Sequence, residues 1–225
     1  MKKLIGIVLG IGFTVLVAGA DVIYSTDFSS ATQAGGLGTA ITMGGTVADG
    51  VTVSTLTAGI GTQSIRLDTV PDYHANESIG VNGSTTLAQA VANNEYFQFT
   101  VSSATAMNYD TFNFNLVKVS TSQLTGITLR SSLDSYASDL VTVANSSAAG
   151  KYSASVDLSS MTAFDNLSSV TFRFYLYDEY SGTAGRRLGV DDISVSATAV
   201  PEPATIGMLG LGAIGVMLIR RMRAR

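Results

Sequence analysis

The chain has no cysteine and no tryptophan, one histidine and three prolines among its 225 residues. Without cysteine there is no disulfide framework and no thiolate chemistry. The lone histidine, His74 in "PDYHANES", is the sole candidate base for a Ser-His-Asp triad, and no G-x-S-x-G elbow accompanies it. One histidine and no cysteine also exclude the usual structural zinc sites. Charged residues make up only 13% of the chain. Their distribution is uneven: residues 21–199 hold seven Lys/Arg against sixteen Asp/Glu, whereas residues 200–225 hold four arginines against one glutamate. An acidic body excludes nucleic acid as a partner, because binding there is dominated by phosphate neutralisation.

What is present begins with the ends. "MKKLIGIVLGIGFTVLVAGA" has a basic pair, an uncharged apolar stretch from Leu4 to Val17, and Ala18-Gly19-Ala20. That order is a secretory signal peptide with an A-x-A site at Ala18 and Ala20, cut before Asp21. At the far end, Pro201 and Pro203 break the preceding segment, and no charge occurs from Ala204 to Ile219. As a helix this run would measure about 24 Å, which snorkelling arginines extend towards the ~30 Å of a bilayer core. Arg220, Arg221, Arg223 and Arg225 follow at once, a membrane stop that keeps the basic end cytoplasmic and the body outside. The expected organisation is a signal peptide over 1–20, a body over 21–199 and a tail over 200–225 with a single transmembrane helix.

Between the ends, apolar and polar residues alternate with period two. Phe97, Phe99 and Val101 alternate with Gln98 and Thr100; Phe112, Phe114 and Leu116 with Asn113, Asn115 and Val117; Val170, Phe172, Phe174 and Leu176 with Thr171, Arg173, Tyr175 and Tyr177. Such rows describe half-buried antiparallel strands. Weaker strands are expected at "VIYSTDF", "VTVSTLT", "QSIRLDT", "TGITLRS", "LVTVA", "KYSASVDL" and "GVDDISVSA", separated by Gly/Asn/Asp/Ser turns. "TTLAQAVANNE" predicts two helical turns ended by Asn93-Asn94. The expected fold class is all-β, an antiparallel β-sandwich or jelly roll.

The tail "VPEPATIGMLGLGAIGVMLIRRMRAR" resembles the PEP-CTERM sorting signal: a V-P-E-P box, a short apolar helix and an arginine-rich end, in that order. The resemblance implies export and recognition of Pro201, Glu202 and Pro203 by an exosortase. It further implies transient membrane anchoring, cleavage near the box, and release to the cell surface or exopolysaccharide matrix of a Gram-negative bacterium. "LGVDDISVSATAVPEP" and "YSTDFSS" are also similar to the last and first strands of jelly-roll, carbohydrate-binding-like modules.

Chemistry in the body is sparse. Asp178-Glu179 and Asp191-Asp192 are paired carboxylates, but neighbours on a strand point to opposite faces and make no glycosidase dyad alone. Asp27, with Asp191 or Asp192, would come together if the terminal strands pair. Such a group is either a structural calcium site, the one cofactor to consider, or a solvated acidic strand. Arg173, Tyr175 and Tyr177 form the polar row of a strong strand. They are either a platform for sugar rings or ordinary cross-strand packing. The expectation is a non-enzymatic surface or matrix protein of structural or adhesive role. The alternatives are a carbohydrate-binding module for exopolysaccharide and a secreted glycan hydrolase.

Overall fold

The computed structural model describes residues 19–33, 40–62, 64–67, 75–79, 84–118, 125–145, 150–178 and 186–200. Ala18 and His74, together with Pro201, Glu202, Pro203 and the four tail arginines, lie outside them. Ala20 lies inside, exposed, at the foot of the first strand. Among the described residues no helix is long and apolar enough to cross a membrane.

The short strands near the start are β1 (Asp21–Thr26), β2 (Ala40–Ile41), β3 (Thr46–Val47), β4 (Val51–Val53), β5 (Leu56–Ala58), β6 (Ser64–Leu67) and β7 (Ala75–Ile79). Among the described residues one α-helix, α1 (Leu87–Asn93), precedes the long strands β8 (Tyr96–Lys118), β9 (Thr125–Ser131), β10 (Val141–Asn145), β11 (Gly150–Asp157), β12 (Leu167–Asp178) and β13 (Arg186–Ala199). All pairings among the described residues are antiparallel, and the all-β expectation holds.

β8 organises the molecule. Its first half pairs with β12, from Tyr96↔Tyr175 to Ser102↔Ser169, and with β4 and β5. Its second half pairs with β13, from Met107↔Ala199 to Lys118↔Leu188, and with β11. One strand thus runs through both layers of a sandwich. The first layer continues through β12 to β9 and β10; the second continues through β13 to β1 and β3 on one stretch and to β7 and β6 on another.

The sequence reads β8 as two strands, and its inward rows show why it is one. Phe97, Phe99, Val101, Met107 and Tyr109 are buried at odd positions, then Phe112, Phe114 and Leu116 at even ones. A strand can change parity only by inserting a residue. The register against β13 slips between Thr111 and Tyr109, which absorbs Asp110. The apolar rows then meet face to face: Phe112 lies 4.5 Å from Phe172 and Phe114 5.0 Å from Phe174, centroid to centroid. The same device recurs in β13, where the buried row passes from Val190 to Ile193, Val195 and Ala197. The register slips there between Asp191 and Ser194.

The helix forms where expected. Thr86 caps its start by accepting from the Gln89 amide, and Asn94 ends it in the left-handed region at φ 58°, a conformation asparagine tolerates.

Candidate functional site

The Arg173, Tyr175 and Tyr177 row requires a correction. Its strand and alternation are as expected, but the two tyrosines are buried, at 3% and 8% exposure. A second apolar cluster covers them: Ala90, Leu87 and Val91 of α1, with Tyr96 and Tyr136. Arg173 is fully engaged as well. Its guanidinium lies 3.9 Å from the Tyr96 ring and 3.6 Å from the Tyr136 ring. Nε and Nη2 donate to Gln98 Oε1, and Nη1 donates to the Tyr175 hydroxyl at 3.1 Å. Tyr136 reaches that position through two consecutive left-handed residues, Ser135 and Tyr136 itself. Period-two alternation assigns this row to the outer face, which it occupies. It carries no information about a helix and a turn folding over that face.

The terminal strands do pair, with Thr26 opposite Ile193. Asp27 and Asp192 consequently line one shallow cleft of about 350 Å³, together with Ser25, Thr46 and Ser194. Asp191 does not join them. The bulge places Asp192 in the left-handed region at φ 49°, and the fully buried Asp191 meets Lys151, whose Nζ lies 2.6 Å from Oδ2. Lys151 also donates to Asp192 Oδ2 at 3.4 Å, and Asn115 Nδ2 donates to the same oxygen at 2.7 Å. The Asp192 amide closes onto Asp191 Oδ1 at 2.8 Å. Burial pushes the Asp191 carboxyl above the ordinary range, although Lys151 and the Asp192 amide pull it back. For Lys151, burial opposes its charge, but the two carboxylates outweigh that and hold its pKa high. The three aspartates are thus not one cation site, because an ammonium already neutralises Asp191. No group of three or more metal-binding side chains of His, Cys, Asp or Glu occurs among the described residues.

A larger feature is assembled from residues that the alternation marks only as the polar partners of the apolar rows. On the outer face of the second layer, Ser155, Asn113, Ser194 and Ser25 stand in register across β11, β8, β13 and β1. Asn113 Nδ2 donates to Ser194 Oγ at 3.1 Å, and Thr111 and Ser196 share a hydroxyl hydrogen bond one step along. A second shallow cleft of about 260 Å³, bounded by Asn113, Asn115, Ser153, Ser155 and Asp192, lies on this shelf. Asp192 lines both clefts. The face is a sheet of hydroxyls and carboxamides, groups that both donate and accept. The signal for it lay in the polar halves of "TFNFNL", "YSASV" and "ISVSAT"; only strand order brings those halves side by side.

Residues 199–223 match the family model of the PEP-CTERM protein-sorting motif. The chain therefore carries that motif, the mark of an exported, membrane-processed surface protein. No curated protein matches the chain. Similar solved structures include the CBM36-1 domain of a multidomain xylanase from the hindgut metagenome of Trinervitermes trinervoides. It has 9% identity and a TM-score of 0.33, covering 68% of this chain and 99% of that one. A CBM4 structure has 16% identity and a TM-score of 0.34, covering 66% and 79%. The family 11 carbohydrate-binding module of Clostridium thermocellum, in complex with a mixed-linked tetrasaccharide, has 14% identity and a TM-score of 0.30, covering 66% and 84%. The fold class rests on the strand pairing described above rather than on these superpositions.

Proposed function

We propose that this PEP-CTERM chain is a non-enzymatic surface or extracellular-matrix protein. In this reading it is exported, held in the membrane by its tail, cut by an exosortase at Pro201-Glu202-Pro203, and then acts by adhesion. The observation that carries the reading is how closely the body fills the space between the two signals. β1 begins at Asp21, the first residue after the expected signal-peptidase cut. β13 ends at Ala199, where the sorting motif starts. Val200 still donates its amide to the Ala106 carbonyl at 2.9 Å. Removal of both signals would leave the sandwich whole. Intact-mass measurement on protein from the native surface and medium tests this. A species running from Asp21 to the region of Pro201 is expected; a membrane-bound species retaining Arg225 would overturn it.

A second reading names the adhesive contact. The hydroxyl and carboxamide shelf on β11, β8, β13 and β1 favours association with exopolysaccharide through many weak hydrogen bonds, without an aromatic platform. Each such bond contributes about 1 kcal/mol, so affinity would come from repetition along a polymer. The double variant Asn113→Ala/Ser155→Ala should reduce retention on the host's insoluble polysaccharide at least several-fold, at an unchanged melting temperature. Equal retention by the variant and the unaltered chain would sink this reading.

A further inference from the structure

Among the described residues β11 is joined to the sheet on one side, by its pairing to β8. Its Lys151 nevertheless reaches across β8 to β13. On a regular strand Asp191 and Asp192 would face opposite ways. The bulge, with Asp192 in a left-handed conformation that costs a non-glycine residue energy, turns both carboxylates to one ammonium. The two contacts differ in kind. Towards Asp192 the Lys151 N–H points along a hydrogen bond. Towards Asp191 it is closer, 2.6 Å from Oδ2, yet off the direction of a hydrogen bond, so that this fully buried oxygen has none among the described residues. The site therefore contains an amine, a water-excluded carboxyl group in contact with it, and a second carboxylate placed to take a proton from the amine.

We propose that Lys151 and Asp191 condense to an intramolecular isopeptide bond, with Asp192 as the proton carrier. One ammonium proton passes to the Asp191 carboxylate at Oδ2, which leaves a neutral amine. Its Nζ lone pair attacks Asp191 Cγ and the Nζ–Cγ bond forms; the nitrogen, now positively charged, gives a second proton to Asp192, and the Cγ–Oδ2 bond breaks. Asp192 returns its proton to the departing oxygen, which leaves as water. The ammonium's third proton stays on the amide. Nothing is oxidised or reduced, and the net charge of the three side chains is the same before and after. Holding the reactants in contact supplies the effective concentration that amide formation lacks in water, and burial of Asp191 keeps water from reversing it. Asn115, which donates to Asp192 Oδ2 at 2.7 Å, is a positioning residue for the proton carrier.

The bond would give this cysteine-free exported protein a covalent staple. It would tie β11 to β13, the strand that leads into the sorting motif, so that tension on the tail could not strip β13 from the sheet beyond Asp191.

Mass spectrometry on the purified full-length chain decides the matter, and a peptide digest makes the result independent of any processing at the ends. The expected finding is a branched tryptic peptide joining the Lys151 and Asp191 segments, uncleaved after Lys151. It should be lighter than its two parts by one water, about 18 Da, the stoichiometry of an acyl condensation. Lys151→Arg should abolish the branched peptide. Asp192→Asn, which keeps the shape of the bulge, should slow its appearance at least ten-fold. Complete cleavage after Lys151, with both linear peptides at full mass, overturns the proposal. So does a water loss that persists in Lys151→Arg, since it would then come from cyclisation of an aspartate.

Discussion

Two buried tyrosines carry the most exposed consequence at the scale of single residues. Tyr24 and Tyr109 are 1% and 0% exposed. Burial pushes the Tyr109 phenol up to about 12, and burial pushes Tyr24 to about 12 against a hydrogen bond with Thr26 that draws it down. A folded-state pKa raised above the unfolded value means stability that is complete below the unfolded pKa and is lost as pH climbs through the folded one. The protein should hold its full stability to about pH 10 and lose it towards about pH 12, with phenolate absorbance rising together with unfolding. The Tyr109 hydroxyl also has no hydrogen-bond partner among the described residues. Tyr109→Phe removes an unsatisfied buried group, and chemical denaturation should show it unchanged or about 1 kcal/mol more stable, with a shallower alkaline limb. A loss above ~1 kcal/mol would mean that the hydroxyl is satisfied.

At the scale of elements, the strands owe their positions to parity and their partners to packing. The inward rows of β8 and β12 interdigitate around Phe112, which lies within 6.1 Å of Phe99, Phe114, Phe172 and Phe174. Phe112→Ala should cost about 3–5 kcal/mol in denaturant unfolding, from lost burial and a cavity that four rings cannot fill. Ser155→Ala, on the outer side of β11, should lie within ~0.5 kcal/mol of the unaltered chain. β9 meets β12 with a close approach of its own. Gly126 sits under the Tyr177 ring, and a Cβ there would collide with Cζ and the hydroxyl. Gly126→Ala should therefore destabilise by about 1–3 kcal/mol by displacing Tyr177 from beneath α1; fluorescence or near-ultraviolet dichroism of the tyrosine cluster would register the shift. The long strands, β1, β6, the helix and its Asn94 stop were legible as local pattern; the short β2, β3 and β7 were not, and "VTVSTLT" reads as one strand where β4 and β5 are two. The joining of two apparent strands into β8 was not, because "SSATAMNYD" reads locally as a break. It stays extended because its backbone finds partners in both layers, including β4, the Gly50 loop edge and β13.

On the scale of the whole molecule, an acidic sandwich is followed directly by a basic, apolar sorting tail. Since the last described backbone hydrogen bond of the body is made by Val200, a chain ending there should melt within about 2 °C of the full chain, the shift a few tenths of a kcal/mol would cause. It should also move from the membrane fraction to the medium. A large drop in melting temperature would mean that residues 201–225 contribute to the core.

The amino-acid order alone determined the all-β class, the apolar rows, the capped helix and the identity of the tail. Each is a local or periodic property: two-residue alternation, a capping residue, a short motif with its charge pattern. Tertiary structure alone decided what those rows face. Tyr175 and Tyr177 lie outward by alternation yet are closed over by α1 and Tyr136, because one segment's exposure depends on another that packs on it. Asn113, Ser155, Ser194 and Ser25 become a continuous shelf only once β11, β8, β13 and β1 are neighbours. Lys151 and Asp191, forty residues apart in the numbering, meet only because β11 and β13 flank β8 in a register that puts both on one face, and a bulge in β13 then adds Asp192 to the same ammonium. Pairing and bulges are set by long-range contacts, and no local pattern encodes them.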